Sequence, residues 1–393
     1  MKKKLLFVID SLGSAGAEKS LVTLLSLLDY SKFEVDLQLF SYGGELERYV
    51  PEEVHILPPL SYTLFSEKNI VRQLFSFDFK KLLARLQYSL AIRRGNPTHP
   101  DKARLFWQYI SGCIPKNEKL YDAAIGYAQG VPTYYVVDKV KAKQMMAWVN
   151  VSFRPQGINY DILKDYYGAI DHIVTVSDSA RQAFLETFPE CTKHTTTIWD
   201  IQDAKLMEKM ASESFDGKMN CDMPCLLTVA RLNKNQKGYD ISLEACKILE
   251  ERGIKFKWYA IGKGDYRPEM EKYIAEHHLQ DTFILLGTTP NPYPYYAHCT
   301  IYVQTSRHEG YGLSIAEARI LNKPVVTTEF DAVYNQMVQG KNGLVVKQDA
   351  NAVADAIERL LKDKSLYDSI VSYQRQEKKG NTEEIDKFYR LID

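Results

Sequence analysis

Short β-branched or apolar runs alternate with stretches of helical periodicity from Lys4 to Val346. Parallel strands need a crossover of a dozen or more residues, so this alternation confines the chain to α/β sheets built from βαβ units. In the first half the spacing predicts strands at Lys4–Asp10, Phe33–Phe40, Val54–Leu57, Ala123–Ala128, Gln144–Val149, His172–Ser177 and Thr195–Trp199. In the second half it predicts Cys225–Arg231, Phe256–Gly262, Phe283–Gly287, Ile301–Thr305, Pro324–Thr328 and Leu344–Val346. Between the halves, Asp203–Pro224 is polar and has no strand pattern, so the domain junction is expected there.

A length of 393 residues favours two domains over one core, given roughly 100–200 residues per domain. Lys plus Arg (50) balances Asp plus Glu (50), which removes the bulk basic field of a dedicated nucleic-acid binder. The longest aliphatic run, Leu21–Leu28, is broken by Thr23 and Ser26 and falls short of the ~18 residues that cross a bilayer. Lys2-Lys3-Lys4 before Leu5–Ile9 resembles the opening of a secretory leader, but Asp10 ends the apolar stretch, so a first strand is expected. Six cysteines without framework spacing suit reduced thiols in a cytoplasm, and Cys221 with Cys225 has no second pair to complete a zinc site.

Residues 68–119 break the alternation: they carry 11 Lys/Arg against 3 Asp/Glu, with Phe75, Phe79, Leu82, Leu83, Leu86 and Leu90 at helical spacing. Two readings stay open. One is a basic helical insertion laying its apolar stripe on the sheet; the other is a surface that touches anionic lipid or a lipid-linked substrate.

Chemistry-bearing residues gather after strands. Gly13–Glu18 follows the first strand and opens a helix, a place where bare N–H groups meet phosphate. G-x-G-x-x-G is absent, and the second strand ends without the acidic residue that holds an adenosine ribose, so a nicotinamide enzyme is excluded. Arg231 and Lys237 flank the loop after Leu226–Ala230, and a guanidinium fork plus an ammonium suits a diphosphate. After Ile301–Thr305 comes Glu309-Gly310-Tyr311-Gly312-Leu313-Ser314-Ile315-Ala316-Glu317. Read as helical, its two carboxylates stand about 12 Å apart at 1.5 Å per residue, too far for paired acid and base on one glycosidic bond. No Asp-x-Asp occurs, and no cluster has metal-ligand spacing.

In order along the chain stand Gly16-Ala17-Glu18, Ala230-Arg231-Leu232 with Lys237-Gly238, and Ile261-Gly262-Lys263-Gly264, then Leu286-Gly287 with Asn291-Pro292-Tyr293, and Glu309 with Glu317. This set resembles the family 4 retaining glycosyltransferases of the GT-B fold, polysaccharide-biosynthesis type. The resemblance is densest over 226–343 and weak over 52–120. It implies two Rossmann-like domains facing each other across a cleft, with a C-terminal helix crossing back. Residues 1–203 would form the acceptor-binding domain, with the basic insertion about 68–119. Residues 204–366 would form the nucleotide-sugar domain, and 367–393 the tail on the first domain. Arg231 and Lys237 would grip the donor diphosphate, and Glu309 would face the donor sugar. Gly310, Tyr311, Gly312 and Leu313 would offer donor contacts, Glu317 would accept the ribose hydroxyls, Gly262 and Gly287 would line the donor site, and Gly16 would approach phosphate from the first domain.

The sequence departs from the family pattern at three places. Asn150 stands where many relatives have a histidine and cannot titrate, so no side-chain base is evident and Asn150 orients sugar or acceptor. Ala15 replaces a glycine, and Asp265, expected to face solvent, replaces a proline. Arg154 and His308 are further candidates, the first for an acceptor phosphate, the second for packing near the site.

The expectation is a hexosyltransferase moving a sugar, UDP-linked by preference, with retention to a hydroxyl of a glycan or lipid-linked glycan. It needs no metal or other cofactor, binds no nucleic acid, and works in the cytoplasm, on the second reading of 68–119 at the membrane's inner face. Alternatives are a nucleotide-sugar epimerase of the same fold, or a non-catalytic subunit of a glycosyltransferase complex.

Overall fold

The computed structural model describes residues 2–13, 16–67, 78–95, 99–151, 161–214, 217–219, 222–289 and 291–393. They form two compact units, Met1–Trp199 with Glu383–Asp393, and Asp200–Thr382.

Among the described residues the first unit is built on seven parallel strands: β1 (Lys3–Ile9), β2 (Phe33–Leu39), β3 (Val54–Ile56), β4 (Leu120–Gly126), β5 (Lys141–Val149), β6 (His172–Thr175) and β7 (Thr195–Thr197), in the order β3-β2-β1-β4-β5-β6-β7. Leu5 pairs with Val35 on one side and Ala123 on the other. Leu5, Leu6, Phe7 and Val8 are completely buried, as a strand covered on both faces requires. The second unit orders β8 (Cys225–Val229), β9 (Lys257–Ile261), β10 (Phe283–Gly287), β11 (Ile301–Gln304), β12 (Val325–Thr328) and β13 (Gly343–Val346) as β10-β9-β8-β11-β12-β13. Each strand lies within a run expected from periodicity or overlaps one, because that signal reports the apolar core itself. The strand order reverses between β1 and β4 and again between β8 and β11. Open α/β sheets bind ligands beyond the carboxyl ends of strands at such reversals.

The division between units falls at Trp199/Asp200, ahead of the polar stretch Asp203–Pro224. That stretch contributes a helix, Ala204–Ala211, capped by the Asp203 carboxylate. The tail also divides later than residue 367. The helix Lys364–Gln376 belongs to the second unit, where Ile370 is fully buried and the Gln374 amide donates to Lys323 O and Asn342 O. Only Glu383–Asp393 joins the first unit. There Phe388 is completely buried, 5.9 Å from the Phe7 ring and 6.0 Å from the Trp148 ring. Tyr389 stacks on Phe33 at 5.7 Å, and Lys3 Nζ donates to Ile392 O at 2.6 Å.

Within 68–119 the described helices are Phe79–Gly95 and His99–Ile110; Phe75 lies outside the described residues. The apolar set does not share one inward face. Leu82, Ala84 and Tyr88 pack on the first unit's core, whereas Phe79, Leu83, Leu86 and Leu90 are exposed. The reason is geometric: neighbours in a helix point about 100° apart, so Leu82 and Leu83 cannot both face inward.

Truncating Phe388 would leave a cavity beside the Phe7 and Trp148 rings. Phe388→Ala is expected to lower unfolding stability by about 3–5 kcal/mol, read as the urea midpoint of the first unit's transition.

Candidate functional site

The candidate residues Arg231, Lys237, Glu309 and Glu317 follow the carboxyl ends of β8 and β11, where the second unit's strand order reverses. β11 begins apolar, Ile301-Tyr302-Val303, and ends in a buried polar sequence, Gln304-Thr305-Ser306. Buried polar groups cost free energy unless hydrogen-bonded, so this strand end must be explained by its partners.

Thr305 fastens the two loops together: its hydroxyl lies 2.7 Å from Ser242 Oγ and bonds Gly238 O at 2.9 Å. Gly238 has φ +63°, and a Cβ there would stand 2.0 Å from Thr305 O, so only glycine lets the backbones approach this closely. The adjacent Lys237 is thereby aimed across the sheet edge. Its ammonium donates to Glu309 Oε1 at 2.6 Å. Gln304 Nε2 at 2.7 Å and Ser306 Oγ at 2.6 Å donate to the same oxygen. Tyr302 OH in turn donates to Gln304 Oε1, which orients that amide. Glu309 is only 8% exposed, and three converging donors, one of them cationic, compensate its desolvation.

The loop bearing Glu309 is held from behind by Arg307, whose guanidinium makes two bonds to Asp240 at 2.9 and 2.8 Å. Burial raises the Asp240 carboxyl, but the Arg307 bonds and charge outweigh it and hold the group below its ordinary value. Glu309 itself precedes the helix Leu313–Ile320, which starts at Gly312 in a left-handed conformation of φ +88°. Only Glu317 is on the helix, so the 12 Å helical separation expected for the pair does not apply. The Gln336 amide donates to Tyr311 O and Gly312 O, pinning the turn between them.

Glu317 is 1% exposed. Tyr296 OH donates to its Oε2 at 2.8 Å and Tyr293 OH to its Oε1 at 3.3 Å. Burial, then the Glu317 charge, pushes the Tyr296 hydroxyl far above the phenol range, so it remains a donor. Arg231 is exposed, and its guanidinium donates to Gln236 Oε1 at 3.0 Å within its own loop. Gly262 N donates to Gly287 O at 2.7 Å, joining the ends of β9 and β10. Gly310 and Tyr311 are buried and Leu313 is half-buried, while Asp265 faces solvent as expected. His308 is exposed rather than packed.

On the first unit, Gly16 begins the helix Gly16–Leu27 and is exposed. Asn150 follows β5, and its Nδ2 donates to Tyr127 O at 2.8 Å. Its Oδ1 is enclosed and has no hydrogen-bond partner among the described residues, an acceptor held at the sheet's carboxyl edge. Arg154, Ala15 and Cys221 lie outside the described residues.

The sequence alone did not single out Gln304, Ser306, Tyr296, Gln336 or the Arg307–Asp240 pair. The signal for the first two was present in the polar end of an otherwise apolar strand. Tyr296 and Gln336 carried no local signal, because their roles depend on which carboxylate or turn the fold brings to them.

Residues 211–377 match the family described as glycosyl transferases group 1. Over 371 residues the chain is 25% identical to the N-acetylgalactosamine-N,N'-diacetylbacillosaminyl-diphospho-undecaprenol 4-alpha-N-acetylgalactosaminyltransferase of Campylobacter jejuni, covering 93% of this chain and 92% of that one. It is 28% identical over 144 residues to the capsular polysaccharide biosynthesis glycosyltransferase CapM of Staphylococcus aureus, a match spanning 36% of this chain and 38% of that one. Among solved structures, Anabaena HepE in complex with UDP-glucose superposes with a TM-score of 0.70 at 16% identity, covering 99% and 98% of the two chains. Staphylococcus aureus TarM, in a variant crystallised with fondaparinux, alpha-GlcNAc-glycerol and UDP, gives 0.70 at 15% identity over the whole of both chains. At these identities the likeness defines the fold, which is GT-B. The matched segment, which makes up most of the second unit, is similar to group 1 glycosyltransferases of the family 4 type.

Because the Asp240 carboxyl is lowered in the folded protein, its contribution is complete above the unfolded value near 3.8 and is lost as pH falls through the lower folded value. Urea unfolding of Asp240→Asn should therefore depend less on pH below that value than the wild type. At neutral pH the variant should lose up to about 1 kcal/mol, since the pair is partly solvated.

Proposed function

We propose that the protein is a retaining glycosyltransferase that moves a sugar from a nucleotide-diphosphate donor, UDP-linked by preference, to a hydroxyl of a glycan or lipid-linked glycan. The observation that carries the reading is the convergence of Lys237, Gln304 and Ser306 on one buried oxygen of Glu309, with Glu317 buried on the helix that follows. The relatives support it: the Campylobacter protein's name puts its acceptor on diphospho-undecaprenol, and HepE holds UDP-glucose.

In this reading the Arg231 fork binds the donor diphosphate, and Lys237, which has three donors and spends one on Glu309, adds charge to the departing phosphate. The N-terminus of Leu313–Ile320 supplies further positive potential there. Glu309, fixed by its three donors, faces the sugar. Glu317 takes the ribose hydroxyls, and its two tyrosines hold the carboxylate ready. Gly262 and Gly287 border the donor. Asn150 cannot accept a proton from the acceptor, so the leaving phosphate does so, and the enclosed Asn150 Oδ1 orients a hydroxyl. Charge neutralisation by Arg231, Lys237 and the helix terminus leaves no task that requires a divalent ion. The enzyme works in the cytoplasm, held peripherally at the inner face of the cell membrane through 68–119.

A screen of UDP-, GDP- and ADP-sugars for acceptor-dependent release of the nucleotide diphosphate identifies the donor. Glu309→Gln, checked for folding by circular dichroism, should lower kcat by about 10²–10³-fold, the scale for loss of a preorganised polar group. Arg231→Ala should act mainly on donor KM; sugar rearrangement without an acceptor would instead indicate an epimerase.

Turnover should survive EDTA. Loss on chelation, restored by magnesium or manganese, would overturn the metal-independent part of the proposal.

A further inference from the structure

We propose that Asn342 and Glu377 are positioning residues for the donor site. They meet at one carboxylate oxygen and together set the Tyr311–Gly312 turn after Glu309 and the helix that carries Glu317. This role rests on the reading of Glu309 and Glu317 as donor-binding groups given above.

Asn342 is completely buried. Its Oδ1 accepts from Val338 N at 2.8 Å, and its Nδ2 donates to Gln336 O at 3.0 Å and to Glu377 Oε1 at 2.9 Å. Gln374 Nε2 donates to its main-chain oxygen at 2.8 Å. A side-chain amide offers two donors and an acceptor at one point, so neither aspartate nor leucine could satisfy these partners. Gln336, whose main-chain oxygen Asn342 holds, is the residue whose own amide pins Tyr311 O at 2.6 Å and Gly312 O at 3.1 Å. Asn342 therefore fixes the turn through one intermediate.

Glu377 Oε1 also accepts from Arg319 Nη2 at 3.0 Å. Arg319 stands two residues after Glu317 on the helix Leu313–Ile320. Side chains two apart on a helix diverge by about 200°, so Arg319 is gripped from the side away from Glu317, which fixes the helix's rotation about its axis. Two residues beyond Glu377, the Lys379 ammonium donates to Arg319 O at 2.7 Å and Asn322 Oδ1 at 2.9 Å, taking hold of the same helix at its carbonyl end.

Stability alone does not explain this cluster. Arg319 Nε and Glu377 Oε2 are enclosed without partners among the described residues, so the pair is joined at one point where a guanidinium fork and a carboxylate could make two bonds. A buried pair with unsatisfied atoms recovers little of its desolvation cost, and apolar side chains of similar volume would hold the segment as firmly. Directional bonds supply what apolar packing lacks, a single setting for the turn and for the helix rotation.

Hydrogen exchange read by mass spectrometry tests the positioning without a ligand. Asn342→Leu and Glu377→Met, which keep side-chain volume and remove the shared bonds, should each speed exchange of residues 310–321 by about tenfold, the scale of losing a bond to a charged group, with β8 and β11 unchanged. Glu377→Gln, which keeps an acceptor there, should fall between Glu377→Met and the wild type. Ile370→Ala, a cavity in the neighbouring helix Lys364–Gln376, should lower the thermal midpoint and leave 310–321 at the wild-type rate. In calorimetric titration with UDP, Glu377→Met should weaken the Kd by about tenfold, whereas Ile370→Ala should leave it in place, since lost stability lowers the active fraction and not the affinity of what remains folded. Unchanged exchange at 310–321 in both variants, equal acceleration by Ile370→Ala, or accelerated exchange with unchanged UDP affinity would overturn the positioning role. A wild type that binds no UDP would count against the UDP reading instead, and the exchange rates would still decide whether Asn342 and Glu377 hold the turn and the helix.

Discussion

A carboxylate withdrawn from water must be given donors, and in the second unit that requirement falls on Glu309. Its three donors come from the strand before it, from the turn that leads to it, and from the loop after a different strand. No single segment can provide that set. It exists because β8 and β11 are neighbours although two strands and their helices separate in sequence what the sheet places side by side. Thr305 and Gly238 close the distance, and Arg307 with Asp240 keeps the loop from swinging away. The site is thus a property of the strand order more than of any motif.

That dependence explains what the sequence disclosed. Strands buried on both faces announce themselves as apolar runs, so every element of the two sheets was legible. Arg231, Lys237, Glu309 and Glu317 were singled out through the order of the motifs around them, and of these the structure joins Lys237 to Glu309 directly. What stayed hidden was anything defined by a partner distant along the chain. Nothing near Tyr296 says that it serves Glu317, and nothing near Gln336 says that it clamps the Tyr311–Gly312 turn. The reading of the whole interval from Glu309 to Glu317 as helical fails for a local reason. Gly312 adopts a left-handed conformation and starts the helix three residues after Glu309, so only half of the interval is helical.

The helix Phe79–Gly95 illustrates the reverse case, in which periodicity was present but its direction was not. A pattern of leucines at helical spacing says that a helix has an apolar face. It does not say that there is only one such face, nor which of two turns inward. Packing decided it through Ala84, whose small side chain permits close approach to the core, and Leu83, Leu86 and Leu90 were left outside.

The last eleven residues carry a consequence for how the chain is made. Glu383–Asp393 completes the first unit, yet it is synthesised after the whole of the second. On the ribosome, Phe7 and Trp148 therefore wait without Phe388 while about 180 further residues emerge, at roughly 5–20 per second. For roughly ten to forty seconds the nascent first unit presents an aromatic patch that Phe388 will later seal, a window in which a holding chaperone has something to grip.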